Sequence, residues 1–253
     1  TSDNTAIGDN ALGANTAANN TAVGSSALLV NTTGINNVAM GSSSLVANTT
    51  GEDNISVGTG TMIANTTGSY NTALGGDALD ANTTASNNTA VGYASLGANT
   101  TGTSNTALGR DALLANTTAD NNTAVGRDAM KANTTGTENV AVGKGSLDAN
   151  TTANEGTAIG HNALGTQVTG NNNTAVGSIA LATANGGDDN TAVGRNALGA
   201  NTTASDNTAV GSGALAANTT GSDNTGIGRG TLAATTTGAS NVGLGAYALD
   251  ANT

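Results

Sequence analysis

Residues 122–138 read NTAVGRDAMKANTTGTE, and this unit recurs along the whole chain. We number each copy from the glycine that closes its Asn-Thr-Ala-Val-Gly-like string, which is position 0. The first interval between these glycines is 16 residues, and the other thirteen are 17. A fixed short period is the signature of a solenoid or another repeat architecture. The fifteen position-0 glycines are Gly8, Gly24, Gly41, Gly58, Gly75, Gly92, Gly109, Gly126, Gly143, Gly160, Gly177, Gly194, Gly211, Gly228 and Gly245.

The columns of the repeat indicate strands rather than helices. Position −3 is β-branched and position −1 is apolar in all fifteen copies, and a small residue separates them at position −2. This alternation is the two-residue period of a strand. We therefore predict an all-β fold, a parallel β-solenoid or β-roll of about fifteen 17-residue coils, with a second extended piece at A-L-x-A-N-T.

We predict that three columns of the repeat, at positions −1, +4 and −4, hold the residues that determine the structure of the coil. Position +4 is Leu or Met in every copy, and position −4 is Asn in all copies except at Gly156. We expect positions −1 and +4 to form the buried core and Asn at −4 to shape a turn, because Asn tolerates left-handed backbone. The predicted core residues are Val23, Val57, Val91, Val125, Val142, Val176, Val193, Val210, Leu28, Leu45, Leu79, Leu96, Leu113, Leu147, Leu164, Leu198 and Leu215, and the turn residues are Asn88, Asn105, Asn122, Asn139, Asn173 and Asn190.

Residues 1–253 are expected to be a single repeat array. The sequence starts within a turn at Thr1 and stops within a repeat at Thr253, without atypical capping repeats at either end. Because solenoids normally end in capping repeats, we expect a window of a longer fibre.

The composition predicts self-association. The chain has no Trp or Phe and only three Tyr, whereas aromatic side chains dominate most cores. Two large apolar residues per coil make a thin core for one chain. The small residues at position −2 would allow another copy to approach closely, so a homotrimeric rod is expected.

The strings at 122–126 and 190–194, each followed by x-x-Ala-Leu or a close variant, resemble the head repeats of trimeric autotransporter adhesins. They are also similar to repeats in bacteriophage and bacterial tail-fibre-like proteins. The resemblance covers nearly the whole chain, although the 17-residue unit with its Asn-Thr-Thr-Gly corner is longer than the adhesin unit. It implies a left-handed parallel β-roll in a trimer, an extracellular location on a cell surface or virion fibre, and contacts with a host-cell, matrix or glycan surface.

The inventory of side chains argues against catalysis. His161 is the only histidine and occupies a variable position, and there is no cysteine, so neither a Ser-His-Asp triad nor a thiol nucleophile is indicated. We expect no enzyme activity and no cofactor. Calcium is a weak alternative for the adjacent carboxylates Glu52–Asp53 and Asp188–Asp189, since calcium prefers several oxygen ligands.

The net charge and the threonine columns bear on the remaining classes of partner, which are nucleic acid, membranes, glycans and regular surfaces such as ice. A net charge of −11 makes nucleic acid an unfavourable partner, and no apolar run approaches the length of a membrane span. The Asn-Thr-Thr corners match glycosylation sequons, but Asn as a corner residue explains the column equally well and is favoured. The alternative function is a single-chain solenoid that binds ice or another regular surface through Thr ladders.

Overall fold

The computed structural model describes residues 3–251. The prediction that the array begins and ends within a repeat depends partly on residues 1, 2, 252 and 253, which lie outside this range. The chain divides into two compact units, one up to Ala124 and one from Val125 onward. Each unit is described by itself.

Each coil contributes one three-residue strand, and neighbouring strands pair in parallel. In the first unit Thr72 pairs with Thr89, and in the second unit Thr174 pairs with Thr191, so equivalent columns stack. The prediction of an all-β parallel β-solenoid of about fifteen coils is confirmed for residues 3–251, which contain no helix. The strands are β1 Thr5–Ile7, β2 Thr21–Val23, β3 Val38–Met40, β4 Ile55–Val57, β5 Thr72–Leu74, β6 Thr89–Val91, β7 Thr106–Leu108, β8 Thr123–Val125, β9 Val140–Val142, β10 Thr157–Ile159, β11 Thr174–Val176, β12 Thr191–Val193, β13 Thr208–Val210, β14 Thr225–Ile227 and β15 Val242–Leu244.

The glycine at position 0 is required by the coil below it. Gly92 has a φ of 131°, a backbone conformation that residues with a side chain rarely adopt. A Cβ atom at this position would lie 2.6 Å from backbone atoms of Gly109. Gly194 in the second unit has a φ of 135° and the same 2.6 Å approach to Gly211. Only glycine lets the corners stack this closely.

The interior of each coil is small and partly polar. Position +4 is the large buried column: its side chains from Leu28 to Leu232 are fully buried. The nine leucines predicted as core are therefore buried. Small residues at positions −2 and +3, such as Ala90 and Ser95, fill the space beside them.

The structure corrects the prediction at position −1. None of the eight valines predicted as core at this position is buried within the chain, because positions −3 and −1 both face outward while position −2 faces inward. The prediction that the small residues at position −2 would let another copy approach is therefore wrong, because these residues are buried inside the coil. A strand sends successive side chains to opposite faces, and the coil is too narrow to hold a large side chain where Ala stands. These eight half-buried or exposed valines are Val23, Val57, Val91, Val125, Val142, Val176, Val193 and Val210.

The segment after each position-0 glycine is a pair of turns, not the second extended piece that the sequence predicts. Ala112 N donates to Gly109 O at 3.3 Å, and Asn116 N donates to Leu113 O at 3.1 Å. Leu113 itself has a φ of 50°, a conformation that costs a bulky residue free energy. All fifteen residues at position +4 share it, and the thirteen from Leu28 to Leu232 are fully buried.

Candidate interaction face

The outward side chains of the strands form what we call the outer face, which consists of positions −3 and −1 of every coil. In the second unit it presents Thr at −3 in most coils and Val or Ile at −1 in the coils from Gly126 to Gly228. Ile159 and Ile227 are each 41% exposed even though stacked neighbours cover them above and below. In each unit the outer face therefore combines a continuous apolar column at position −1 with a column at position −3 that is mostly Thr.

Two exposed columns border the outer face, and we call them its edges. The N-terminal edge is position −5, two residues before −3, and the C-terminal edge is position +1, two residues after −1. In the second unit the N-terminal edge carries acids and no cation, whereas the C-terminal edge carries cations and no acid. The acids are Glu138, Glu155, Asp189, Asp206 and Asp223, and the basic residues are Arg127, Lys144, His161, Arg195 and Arg229, all of them exposed.

The asparagines predicted as turn residues line the interior instead. Asn88, Asn105, Asn122, Asn139, Asn173 and Asn190 are fully buried. Left-handed backbone occurs one residue earlier, at position −5, for example at Asn87 with a φ of 63°. The predicted left-handed backbone at position −4 is thus wrong.

The buried asparagines form ladders between coils. Asn88 Oδ1 accepts a hydrogen bond from Asn105 N at 2.9 Å. Asn88 Nδ2 and Asn99 Nδ2 both donate to Gly102 O, each at 2.9 Å, from opposite sides of one coil. These bonds satisfy polar groups that would otherwise be costly to bury.

A second column of buried asparagines lies at position +7, and it contains the asparagines of the Asn-Thr-Thr sequons. The asparagines of the ten Asn-Thr-Thr sequons are fully buried, so a folded coil offers a glycosylating enzyme no access to these ten positions. These residues are Asn31, Asn48, Asn65, Asn82, Asn99, Asn116, Asn133, Asn150, Asn201 and Asn218. This supports the interpretation of the motif as a structural corner.

Threonine at position +8 is engaged in the stack. Thr83 Oγ1 donates to Thr100 O at 3.1 Å, and Thr100 Oγ1 donates to Thr117 O at 3.0 Å. In the second unit Thr202 Oγ1 donates to Thr219 O at 3.0 Å. Two Thr columns therefore face outward, one at position −3 and one at position +9, where residues such as Thr84 and Thr203 are exposed.

The weak calcium candidates bond to neighbouring coils. Asp188 Oδ1 accepts from Asn171 N at 2.7 Å, and Asp189 Oδ1 accepts from Asn172 Nδ2 at 3.1 Å. Asp53 Oδ1 accepts from Asn36 Nδ2 at 3.1 Å. Glu52 Oε1 accepts from the Tyr70 hydroxyl at 3.2 Å, and this carboxylate raises the pKa of Tyr70. Across residues 3–251, neither pair meets further His, Cys, Asp or Glu side chains in a group of three.

A depression of about 270 Å³ opens on the second unit beside position +5. Asp148, Asn162, Thr166 and Ile179 contribute to its lining. Burial raises the pKa of Asp148, and the nearby Asp128 raises it further. One carboxylate in an open depression does not form a catalytic arrangement, which needs a base and a second convergent group.

No known family model matches the sequence, and no curated protein matches it. In the part of the chain that the structure describes, no helix is long and apolar enough to cross a membrane. The strongest candidate for an interaction site is the outer face with its two edges, because it combines an exposed apolar column with two oppositely charged borders. Sequence analysis missed it by assigning position −1 to the interior, although the separation of cations and acids into two columns was visible in the repeat.

Proposed function

We propose that this chain is a structural, non-catalytic segment of an extracellular fibre of the adhesin or tail-fibre type, in which identical copies associate through their outer faces. The single observation that supports this most strongly is the exposed apolar column at position −1. A soluble monomer rarely exposes a long contiguous apolar surface, and such a surface usually marks an interaction site.

The interior supports the same proposal. One large side chain per coil is buried within the chain, and the second large apolar side chain is left on the outer face. Association of copies through this face would bury the second column and complete the core. We propose three copies around a common axis, so that the fibre projects a tip domain and makes weak multivalent contacts with host-cell, matrix or glycan surfaces through its variable turns.

Light scattering on the purified chain tests the proposal. We expect three times the single-chain mass of 24.0 kDa. Val142→Lys and Val193→Lys, which place charges on the outer face, should shift the mass toward that of a monomer. Thr152→Lys and Thr203→Lys are the matched controls at exposed position +9, and they should leave the mass unchanged. A monomeric wild type at every concentration contradicts the proposal.

The second candidate is ice or regular-surface binding by a single chain. It is favoured by one observation: eleven of the fifteen residues at position −3 are Thr, and this column lies on the outer face rather than inside. A monomer that lowers the freezing point below the melting point would establish it. A chain that shows no such activity, whether it is a monomer or a trimer, would rule it out.

A further inference from the structure

The two edges of the outer face in the second unit carry opposite charge at the same height. The coil is named here by its position-0 glycine. The Gly143 coil has Glu138 and Lys144, the Gly194 coil has Asp189 and Arg195, and the Gly228 coil has Asp223 and Arg229. The Gly160 coil adds Glu155 and His161, whereas the Gly177 coil has neutral residues at both edges.

Among residues 3–251, no ion pair joins these charges. The two edges of one coil lie on either side of its three-residue strand. The ion pairs among the described residues are Arg110–Asp111, Arg127–Asp128 and Lys131–Asp128. Lys144 and Arg195 thus have no carboxylate within salt-bridge distance, and Arg229 instead stacks on the Tyr247 ring at 5.4 Å.

We propose that the edges select the packing partner: a second copy of this chain, parallel and at the same height, whose acidic edge lies against the basic edge of the first. The proposal rests on the fibre function above and defines how its copies associate. We call each such junction a seam. A seam pairs Glu138 with Lys144, Asp189 with Arg195 and Asp223 with Arg229, each pair joining two copies.

Orientation follows from the asymmetry of the edges. When identical solenoids face each other in parallel around a rotation axis, the N-terminal edge of one meets the C-terminal edge of the next. In an antiparallel pair each edge meets its own equivalent, which would place Lys144 and Arg195 in a row of cations and their acidic counterparts in a row of acids. Like charges placed together suppress a wrong packing more effectively than ion pairs strengthen the right one.

The height of the pairing follows from the spacing of the charges. A closed ring relates copies by rotation without translation, so equivalent coils lie at one level. At that level Lys144, Arg195 and Arg229 all face an acid. A shift by one coil, about 4.8 Å, leaves two of these three facing an acid in one direction and one of the three in the other. Arg127 would face an acid only in the first of these shifts, but it already pairs with Asp128 within the chain. Among the cations of this edge that lack such a partner, the charge pattern favours a closed ring over a staggered stack.

Charge reversal in the full chain tests the seam. The cation-reversed variant carries Lys144→Glu, Arg195→Glu and Arg229→Glu, and the acid-reversed variant carries Glu138→Lys, Asp189→Lys and Asp223→Lys. At low salt we expect each to self-associate about tenfold more weakly than the wild type by sedimentation. The variant with all six changes should recover, because its edges are again complementary.

The acid-reversed variant also distinguishes pairing across a seam from general electrostatic repulsion between copies as the cause of a change in self-association. It reduces the magnitude of the net charge of −11 by six, so repulsion alone predicts stronger association. The seam predicts weaker association. Thermal unfolding of each variant at a concentration where it is monomeric checks that the exposed substitutions leave the coil folded.

Cysteine cross-linking gives a second readout, because the chain contains no cysteine. Asp189→Cys with Arg195→Cys places one thiol on each edge at one level and should give covalently closed rings on oxidation. Asp189→Cys with Arg229→Cys, displaced by two coils, is the matched control and should cross-link little.

The outcomes separate the two proposals. A wild type that is monomeric at every concentration overturns both the fibre function and the seam. An oligomeric wild type with unchanged single-reversal variants, or a six-residue swap that fails to recover, overturns the seam alone. Efficient cross-linking of Asp189→Cys by itself would show that equivalent edges meet, and would replace the seam with an antiparallel packing.

Discussion

The edges of the outer face differ between the two units. In the first unit the N-terminal edge carries Asn19, Asn36 and Asp53, joined from coil to coil by hydrogen bonds of 3.2 and 3.1 Å, and the facing positions Ser25 and Ser42 are uncharged. In the second unit the same positions carry acids on one side and cations on the other. The interiors of the two units, by contrast, repeat the same Leu, Ala and Asn columns.

This difference shows where the repeat is free to vary. An interior residue touches its own equivalent in the coils above and below, so a change in one coil leaves two mismatched neighbours. An edge residue contacts solvent and can change alone. In the proposed seam, the residues that select the partner lie at the edges, and the charged ones are concentrated in the second unit.

The largest expected effect comes from the column that the two units share. Leu79→Ala in the first unit and Leu198→Ala in the second should each lower the free energy of unfolding by about 2–5 kcal/mol, because both side chains are fully buried. Urea denaturation followed by circular dichroism measures this loss.

Valines at position −1 are the matched controls for the leucines. Under conditions where the chain is monomeric, Val91→Ala and Val193→Ala should each cost no more than about 1 kcal/mol, since both side chains are only partly buried and Val193 is 36% exposed. Equal losses at Leu198 and Val193 in a monomer would contradict the assignment of the outer face.

The asparagine ladder at position +7 should have a smaller effect on stability, and this effect should differ between the two units. In the first unit it is continuous, with Asn65 Nδ2 to Asn48 Oδ1 at 2.9 Å and Asn82 Nδ2 to Asn65 Oδ1 at 2.8 Å. In the second unit Gln167 and Ala184 interrupt it, and Gln167 Oε1 is buried without a hydrogen-bond partner.

Repairing the ladder should stabilise the second unit. Gln167→Asn with Ala184→Asn should raise the free energy of unfolding by about 0.5–1.5 kcal/mol for each hydrogen bond gained, measured by thermal unfolding with hydrogen exchange. Asn82→Ala in the first unit is the converse and should cost about 1–3 kcal/mol, because it leaves buried polar groups unpaired. A destabilising repair would show that these two coils are adapted to their own side chains.

The smallest effect concerns one carboxylate in each unit. Burial raises the pKa of Asp80 and of Asp148 above the ordinary value of 3.8. A raised folded-state pKa means that the fold binds the proton more tightly than the unfolded chain does. Stability is then lost as the pH rises from below 3.8 through the folded-state pKa.

Substitution by asparagine should remove this pH dependence. Asp80→Asn and Asp148→Asn should each raise the melting temperature slightly at pH 7, by the equivalent of about 0.5 kcal/mol for partly exposed groups, and should change nothing near pH 2. Melting curves across this range measure it. A wild type that becomes more stable than both variants as the pH rises would contradict the sign.

Much of the fold was predictable because the 17-residue period can be read directly from the sequence. The buried column at position +4 was predicted correctly, whereas the small column at position −2, which was expected to face another copy, lies inside the coil. The outward direction of Val91 was not predictable from its type, because valine suits either face of a strand. The turn that places Leu113 in left-handed backbone was also missed, since leucine has no local preference for it.

The sequence by itself determined the number of coils, their parallel register and the separation of charged from apolar columns, because stacking of identical units leaves a strictly periodic chain few other solutions. Only the tertiary structure decided which of two apolar columns is the core. A coil is closed by its turns, and the turn after Gly92 carries Leu96 inward and leaves room at the strand only for a small side chain such as that of Ala90. That geometric limit turns Val91 outward and creates the face on which the proposed assembly depends.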